Sequence, residues 1–331
     1  MEPATSLSGP DPSLIAVRVV RKTREAQDIC TFELRPVDGS ALPAFSAGAH
    51  IDVLVPGGLT RQYSLCNAPA ERDRYVIGVL HEAASRGGSR AMHELVNEGD
   101  TLRIRAPRNH FALAAGATRS LLLAGGIGVT PILAMAEHLA AAGGDFSMHY
   151  CVRSADRAAF LARIRQGGFA SRAHVHFDDG DATQRADLAR LLGEPRPGLH
   201  AYVCGPRGFI DAVVVAAGRL GWPHERVHRE FFGSTDAAPG AADERFQVRL
   251  ARSGRVVTVP GDRSVVQALA AAGVDVPVSC EQGVCGTCLT RVVEGVPEHR
   301  DLYLTPEEQA LNDQFTPCCS RSKTPCLVLD L

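Results

Sequence analysis

The sequence predicts a multi-domain protein: an antiparallel β-barrel, then an α/β domain on a parallel sheet, then a small cysteine-rich module. Three observations predict it. Short alternating apolar runs fill residues 14–113, apolar strands alternate with helix-length segments over 120–232, and six of the ten cysteines crowd into the last 52 residues. A chain of 331 residues has room for two or three domains of about 100–200 residues each. With 45% hydrophobic and 22% charged residues it can bury ordinary cores. A net charge of −2 gives no electrostatic reason to expect nucleic acid or anionic lipid as the main partner. The cysteines do not read as a secreted disulfide framework, because the chain is long and has cores of its own.

The barrel is read from LIAVRVVRK, ICTFELRP, HIDVLV, YVIGVLH and TLRIRAP, punctuated by the turn segments VDGS, PGG and NEGD. One helix fits near Ser89–Val96, and the domain is placed at 12–113. In the next block the strands LLLAG, FSMHYCV, HVHFD and HAYVCG alternate with helical segments Pro131–Ala142, Ala155–Arg165, Ala186–Leu192 and Pro206–Gly221. Such alternation marks a parallel sheet, here assigned to 114–232. The small-residue run GSTDAAPGAAD at 233–243 reads as a linker. Residues 244–331 then open with the strands RFQVRLA and RVVTVP and a helix at Ser264–Ala272.

The near-uncharged stretch Ser120–Gly144 has the length of a membrane span, but Gly125, Gly126, Gly128 and Pro131 interrupt its centre. A buried strand, a glycine turn and an amphipathic helix explain it better. Met1–Leu14 has neither a basic nor an apolar leader segment, so a cytoplasmic protein is expected.

The third block carries Cys280, Cys285 and Cys288 at C-x4-C-x2-C spacing, and Cys318 after 29 further residues. That is the spacing of a plant-type [2Fe–2S] site, in which a tight loop brings three thiolates together and a distant segment supplies the fourth. Gly283 and Gly286 let the loop turn. A zinc ribbon favours two C-x2-C knuckles, and only one such pair is present in the loop. Cys318 and Cys319 are adjacent, so one of the two is the fourth ligand. The block resembles plant-type ferredoxins over its whole length, which implies a β-grasp fold. The family's C-x-[SA] pattern at the fourth ligand selects Cys318, with Cys319 and Cys326 as packing residues.

Gly125-Gly126-Ile127-Gly128-Val129-Thr130-Pro131 joins a strand to a helix. Glycines there let backbone approach a pyrophosphate, and the helix start offers N–H groups and a positive dipole end. An ordinary strand-to-helix turn is the plain alternative. Together with Cys204-Gly205-Pro206 after a later strand, however, the motif is similar to the NAD(P) half of the ferredoxin–NADP reductase superfamily. This resemblance implies that Gly126, Gly128 and Thr130 face the pyrophosphate, that Arg153 and Ser154 hold the adenosine ribose, and that Cys204 and Gly205 lie near the nicotinamide. Asp178 and Asp179, ending the next strand, would repel a 2′-phosphate and favour NADH.

In the barrel block, Arg61-Gln62-Tyr63-Ser64 matches the R-x-Y-S signature of the same superfamily's flavin domain. Arg61 can neutralise a phosphate, Tyr63 can pack on the isoalloxazine, and Ser64 can hydrogen-bond near N5. Ser85-Arg86-Gly87-Gly88-Ser89, before the predicted helix, offers a second phosphate grip through Gly87, Gly88 and Ser89.

From about residue 14 to its end the chain resembles the phthalate dioxygenase reductase and vanillate O-demethylase reductase family. The likeness extends to RQYSLCN, SRGGS, PRNHFAL and the closing SRSKTPCLVLDL. It implies the order antiparallel β-barrel flavin domain, α/β NAD-binding domain, C-terminal β-grasp ferredoxin domain, with FMN rather than FAD. It also implies that Glu230-Phe231-Phe232 lies beside the flavin, with Phe232 at the stacking position. The expected activity is NADH-dependent reduction of FMN, then of the cluster, then of a terminal Rieske-type oxygenase acting on an aromatic or related small molecule. Ser64, Cys204 and Phe232 are expected to orient the hydride path. A monomer is expected. The alternatives are a reductase feeding a diiron or haem monooxygenase, and a carrier or sensor without turnover. No Rieske Cys-x-His pair is evident, and His174 and His176 share one strand face without a third ligand in view, so they are read as structural.

Overall fold

The structure is a computed structural model that describes residues 13–83, 87–232, 243–278, 281, 283, 284 and 286–331. The chain divides into two compact units, Met1–Glu230 and Phe231–Leu331. Ser85, Arg86, residues 233–242 of the expected linker, Cys280 and Cys285 lie outside the described residues.

The first unit begins with β1 (Leu14–Ala26), β2 (Ile29–Pro36), β3 (His50–Val55), β4 (Leu59–Ser64), β5 (Tyr75–Leu80), α1 (Gly88–Leu95) and β6 (Thr101–Arg105). The strands form one sheet in the order β4-β3-β6-β1-β2-β5. The ring closes where Leu65 bridges Ile77 and Cys66 N–H donates to the Val76 carbonyl at 2.9 Å. Alternation explains the barrel: Val17, Val19, Phe32, Leu34, Ile51, Val53, Ile77 and Ile104 turn inward, while Arg18, Arg103 and Arg105 stay exposed.

The unit continues with β7 (Arg119–Gly125), α2 (Val129–Ala141), β8 (Asp145–Val152), α3 (Leu161–Gln166), β9 (Ala173–Phe177), α4 (Leu188–Leu192), β10 (Leu199–Gly205), α5 (Arg207–Arg219) and β11 (Val227–Phe231). The sheet order is β11-β10-β7-β8-β9, and β10, β7, β8 and β9 run parallel. The predicted helix over 155–165 is not continuous. A single 3-10 turn covers 155–157, and buried Phe160 at φ 60° then sets α3 off at Leu161. Left-handed backbone cannot propagate a right-handed helix. The α/β core also takes in barrel residues, Ile29, Cys66, Val76 and Phe111 among them, so the barrel packs against the α/β layer while keeping a core of its own.

The second unit has β12 (Phe246–Leu250), β13 (Val256–Val259), α6 (Val265–Ala271), β14 (Thr290–Glu294), β15 (Pro297–Glu298), α7 (Pro306–Leu311), β16 (Gln314–Phe315), β17 (Arg321–Ser322) and β18 (Cys326–Leu329). Its sheet runs β13-β12-β18-β14-β16, with β12 and β18 parallel and the other described pairs antiparallel. One helix across a mixed sheet of this order is the predicted β-grasp. α6 starts at a capping box, with Ser264 and Gln267 each bonding the other's backbone N–H. Among the described residues no helix is long and apolar enough to cross a membrane.

Candidate functional site

The R-x-Y-S segment is the edge strand β4, paired with β3 so that Tyr63 faces Ile51 and Ser64 faces His50. A polar network behind it fixes the strand. Gln62 Nε2 donates to Asp52 Oδ1 and contacts His50 Nε2, each at 3.1 Å, and Arg108 pairs with the buried Asp52. Tyr63 is enclosed enough that burial raises its phenol above the ordinary range, so it is a neutral surface for packing.

Arg61 lies flat on the start of α1: a Cβ added to Gly88 would meet Arg61 Cγ at 2.7 Å. Gly87 caps that helix in the left-handed region at φ 97°, with no side-chain cap. A guanidinium over an uncapped helix start is a donor set suited to a phosphate. The residues present therefore fit the phosphate end of a flavin mononucleotide. Ser89 has a further task, since its hydroxyl accepts from Glu82 N–H at 3.2 Å.

The first unit also contains a cavity of about 790 Å³, inside the range of small-molecule sites. Gly125, Gly126, Ile127, Arg153 and Asp178 line it, together with Leu80 and His81 of the barrel. Gly126 takes φ 52° at the turn. Gly128 and Thr130 serve the turn from inside. A Cβ on Gly128 would collide with the Cys204 carbonyl, and Thr130 Oγ1 donates to Ile127 O at 3.1 Å. Arg153 faces the cavity, whereas Ser154 is absent from its lining and its hydroxyl donates to Asp156. Gly205 packs on the Gly125 backbone, and Pro206 and Phe209 reach the cavity in its place. Arg157, Arg185 and Phe209 were not singled out from sequence; Phe209, three residues past Pro206 on the first turn of α5, follows the CGP motif closely enough to have been found.

Ser64, Cys204 and Glu230 come together. The buried Ser64 hydroxyl donates to Glu230 Oε2 at 3.4 Å. Desolvation pushes the Glu230 carboxyl up to about 8, and the Ser64 bond offsets only part of that rise. Cys204 is buried, and desolvation, reinforced by the Glu230 charge, holds its thiol well above the usual range. Both groups are thus neutral near pH 7. Phe232 is 37% exposed and belongs to the second unit.

In the second unit, Cys288 and Cys318 are buried and neither is in a disulfide. Gly286 takes φ 68°, and a Cβ there would run into the Tyr303 ring, 2.7 Å from Cε1. Gly283 takes φ 73° with the Cys319 sulfur and the Asp301 backbone against it. Only glycine fits both positions. Leu302 N–H donates to Gly283 O and Leu289 N–H to Gly286 O, both at 2.9 Å, so the loop is pinned from two sides. Two glycines in left-handed backbone and the buried thiols of Cys288 and Cys318 fit an iron–sulfur cluster. Cys319 instead packs on Gly283 and contacts Thr316 Oγ1 at 3.3 Å.

His174 and His176 do acquire a neighbour. His149 Nδ1 lies 3.0 Å from His176 Nε2, and the His149 ring stacks on both. Desolvation first, and the two neighbouring rings second, push His149 down to about 4. No group of three metal-ligating side chains among the described residues could hold an ion.

Residues 248–323 match the 2Fe-2S iron-sulfur cluster binding domain, and 101–227 match the N-terminal domain of dimethylamine monooxygenase subunit DmmA-like proteins. The chain is 58% identical to a vanillate O-demethylase oxidoreductase of Pseudomonas putida, covering 96% of this chain and all of that one. It is 39% identical to the phthalate dioxygenase reductase of Burkholderia cepacia over 97% of this chain and 98% of the relative. A solved phthalate dioxygenase reductase, described as a modular structure for electron transfer from pyridine nucleotides to [2Fe-2S], superposes with TM-score 0.76 at 40% identity, covering 96% and 98% of the two chains. An intact type IV self-sufficient cytochrome P450 monooxygenase matches with TM-score 0.80 at 41% identity, over 96% of this chain but 41% of that one. The chain belongs to the family of oxygenase reductases that includes vanillate O-demethylase oxidoreductase and phthalate dioxygenase reductase, and it is an iron–sulfur oxidoreductase.

Proposed function

We propose that this chain is the NADH-oxidising reductase component of a two-component Rieske-type oxygenase of the vanillate O-demethylase kind. The observation that carries the reading is the similarity to a vanillate O-demethylase oxidoreductase over that relative's whole length, at 58% identity. FMN, when bound, converts a two-electron hydride donor into a source of single electrons, which the [2Fe–2S] cluster passes on.

The chain's own residues supply binding and orientation. Arg61 and the start of α1 hold the flavin phosphate, and Tyr63 offers a neutral aromatic surface. Gly126 admits the pyrophosphate of NADH to the cavity, and Arg153 lies at the adenosine end. Protonated Glu230, Ser64 and the neutral Cys204 thiol would border the reacting rings without placing a charge there. Cys280, Cys285, Cys288 and Cys318 hold the cluster. Positioning alone suffices for hydride transfer between two preorganised rings.

The test is reconstitution with a terminal vanillate-type oxygenase, NADH and substrate, measuring demethylated product. Product forms with the Rieske oxygenase if the reading is right. The second reading, delivery to a haem monooxygenase, draws support from the P450 chain that matches this reductase over 41% of its own length. Turnover with a haem acceptor and none with Rieske oxygenases would favour it. Failure to reduce cytochrome c with NADH would leave only a passive carrier.

A further inference from the structure

The turn between β1 and β2, formed by Gln27 and Asp28, belongs to the barrel yet lines the cavity of the first unit, as does Arg157 from the turn after β8. Asp28 takes φ 61°, the left-handed backbone that aspartate adopts more readily than most side chains. Its carbonyl accepts from His81 N–H at 2.7 Å, which ties the turn to the residue following β5.

Gln27 reaches across to residues 154–157. Its backbone N–H donates to Asp156 O at 2.7 Å. The surrounding donors and acceptors orient its amide: the nitrogen donates to Asp156 Oδ2 at 2.7 Å, and the oxygen accepts from Arg157 Nη2 at 3.3 Å. Asp156 is fixed in turn, because its Oδ1 accepts from the Ser154 hydroxyl. Arg157 Nη1 lies 3.8 Å from Asp28 Oδ2.

Two barrel residues thus hold a guanidinium that the α/β layer supplies. As a source of stability the arrangement is weak, since the Arg157 and Asp28 side chains are 39% and 45% exposed and such pairs contribute little. What it supplies is direction. A flexible arginine is ordered in advance, and less entropy is then lost when an anion is bound. The same cavity is lined by Gly125 and Gly126 of the glycine turn. Resting on the reading that this cavity takes NADH, we propose that Arg157 is a ligand of the dinucleotide's pyrophosphate and that Gln27 is the positioning residue that aims it. The pyrophosphate is common to NADH and NADPH, so the contact serves both nucleotides alike. It lies away from the reacting ring and is made equally before and during hydride transfer, so its loss appears in KM and not in kcat.

The test is steady-state cytochrome c reduction by the full-length holoprotein with each nucleotide. Arg157→Ala should raise KM for NADH about tenfold with kcat nearly unchanged, and lower kcat/KM for NADPH by the same factor. Gln27→Leu keeps the backbone bond to Asp156 and should raise KM for NADH roughly three- to tenfold. The double variant should match Arg157→Ala alone, because nothing is then left to aim; a purely structural role would instead give additive losses. Gln27→Ala takes the place of the leucine variant if that protein does not retain its flavin. Additive losses, an unchanged KM in either single variant, or a loss confined to NADPH overturns the proposal. No reduction of the wild-type flavin by NADH would instead overturn the nucleotide reading itself.

Discussion

The Ser64 hydroxyl donates to the Glu230 carboxyl at 3.4 Å, joining two residues 166 positions apart. One ends the barrel's edge strand and the other lies on β11. Desolvation places the Glu230 carboxyl at about 8 against an ordinary 4.5. The sign follows from linkage: an acid raised in the folded state contributes stability below its unfolded value and loses it as pH climbs through the folded one. Wild-type stability should therefore fall between about pH 4.5 and 8. Glu230→Gln should remove that component, melting above the wild type at pH 8.5 by about 2–4 °C for each kcal/mol relieved. Thermal melts at pH 5 and 8.5 check it, and parallel pH dependence in the two proteins would sink it.

Arg61 over Gly88 gives a second prediction. Arg61→Ala removes a charge-assisted contact to phosphate, which should weaken FMN binding roughly ten- to hundred-fold. Gly88→Ala should weaken it comparably, because the added methyl displaces the arginine from the helix start. Flavin fluorescence titration of the apoprotein measures both. Retained FMN affinity in Arg61→Ala would mean that the phosphate lies elsewhere, and recovery of FAD instead of FMN from the native protein would remove the basis of the cradle.

Much of this was legible in the sequence because it is periodic or punctuated. β2 and β3 fall on their predicted bounds, since ICTFELRP and HIDVLV are short runs with apolar residues at alternate positions over part of their length and turn residues close each run. The glycine turn and the cysteine spacing were legible for a related reason: they constrain backbone locally. What was not legible depends on tertiary encounter. Glu230 meets Ser64 only because the barrel packs against the α/β layer, and no local pattern signals that a carboxyl will be desolvated there. His149 joins His176 through parallel strand pairing, 27 residues away in sequence. Phe160 breaks its helix through a left-handed backbone that a buried, bulky residue does not advertise.

The adjacent thiols at 318 and 319 can be separated experimentally. Cys319 packs beneath Gly283 with Thr316 and Ser320, so Cys319→Ser, nearly isosteric, should keep the cluster's EPR signal. Cys318→Ser should abolish it, and the reverse outcome would move the fourth ligand. Gly286→Ala should also lose most of the cluster, because φ 68° disfavours a side chain and the Tyr303 ring occupies the space. Iron and sulfide analysis alongside EPR separates cluster loss from a change in spin state.

Nucleotide choice turns on one end of the cavity. Asp178 lines it, fixed through its N–H to Val152 O at 3.0 Å, while Arg185 Nε donates to the Asp178 carbonyl at 3.1 Å. Three guanidiniums, those of Arg153, Arg157 and Arg185, share the lining, and Arg157 has Asp28 at 3.8 Å as its partner. A 2′-phosphate entering beside Asp178 would meet like charge in a partly enclosed site, where repulsion is weakly screened. NADH should therefore exceed NADPH in kcat/KM. Asp178→Asn should raise NADPH efficiency roughly tenfold, equivalent to about 1.4 kcal/mol, with NADH nearly unchanged. Cytochrome c reduction with each nucleotide measures it. A wild-type preference for NADPH that Arg153→Ala reverses would show that the arginine outweighs the aspartate at this end of the cavity.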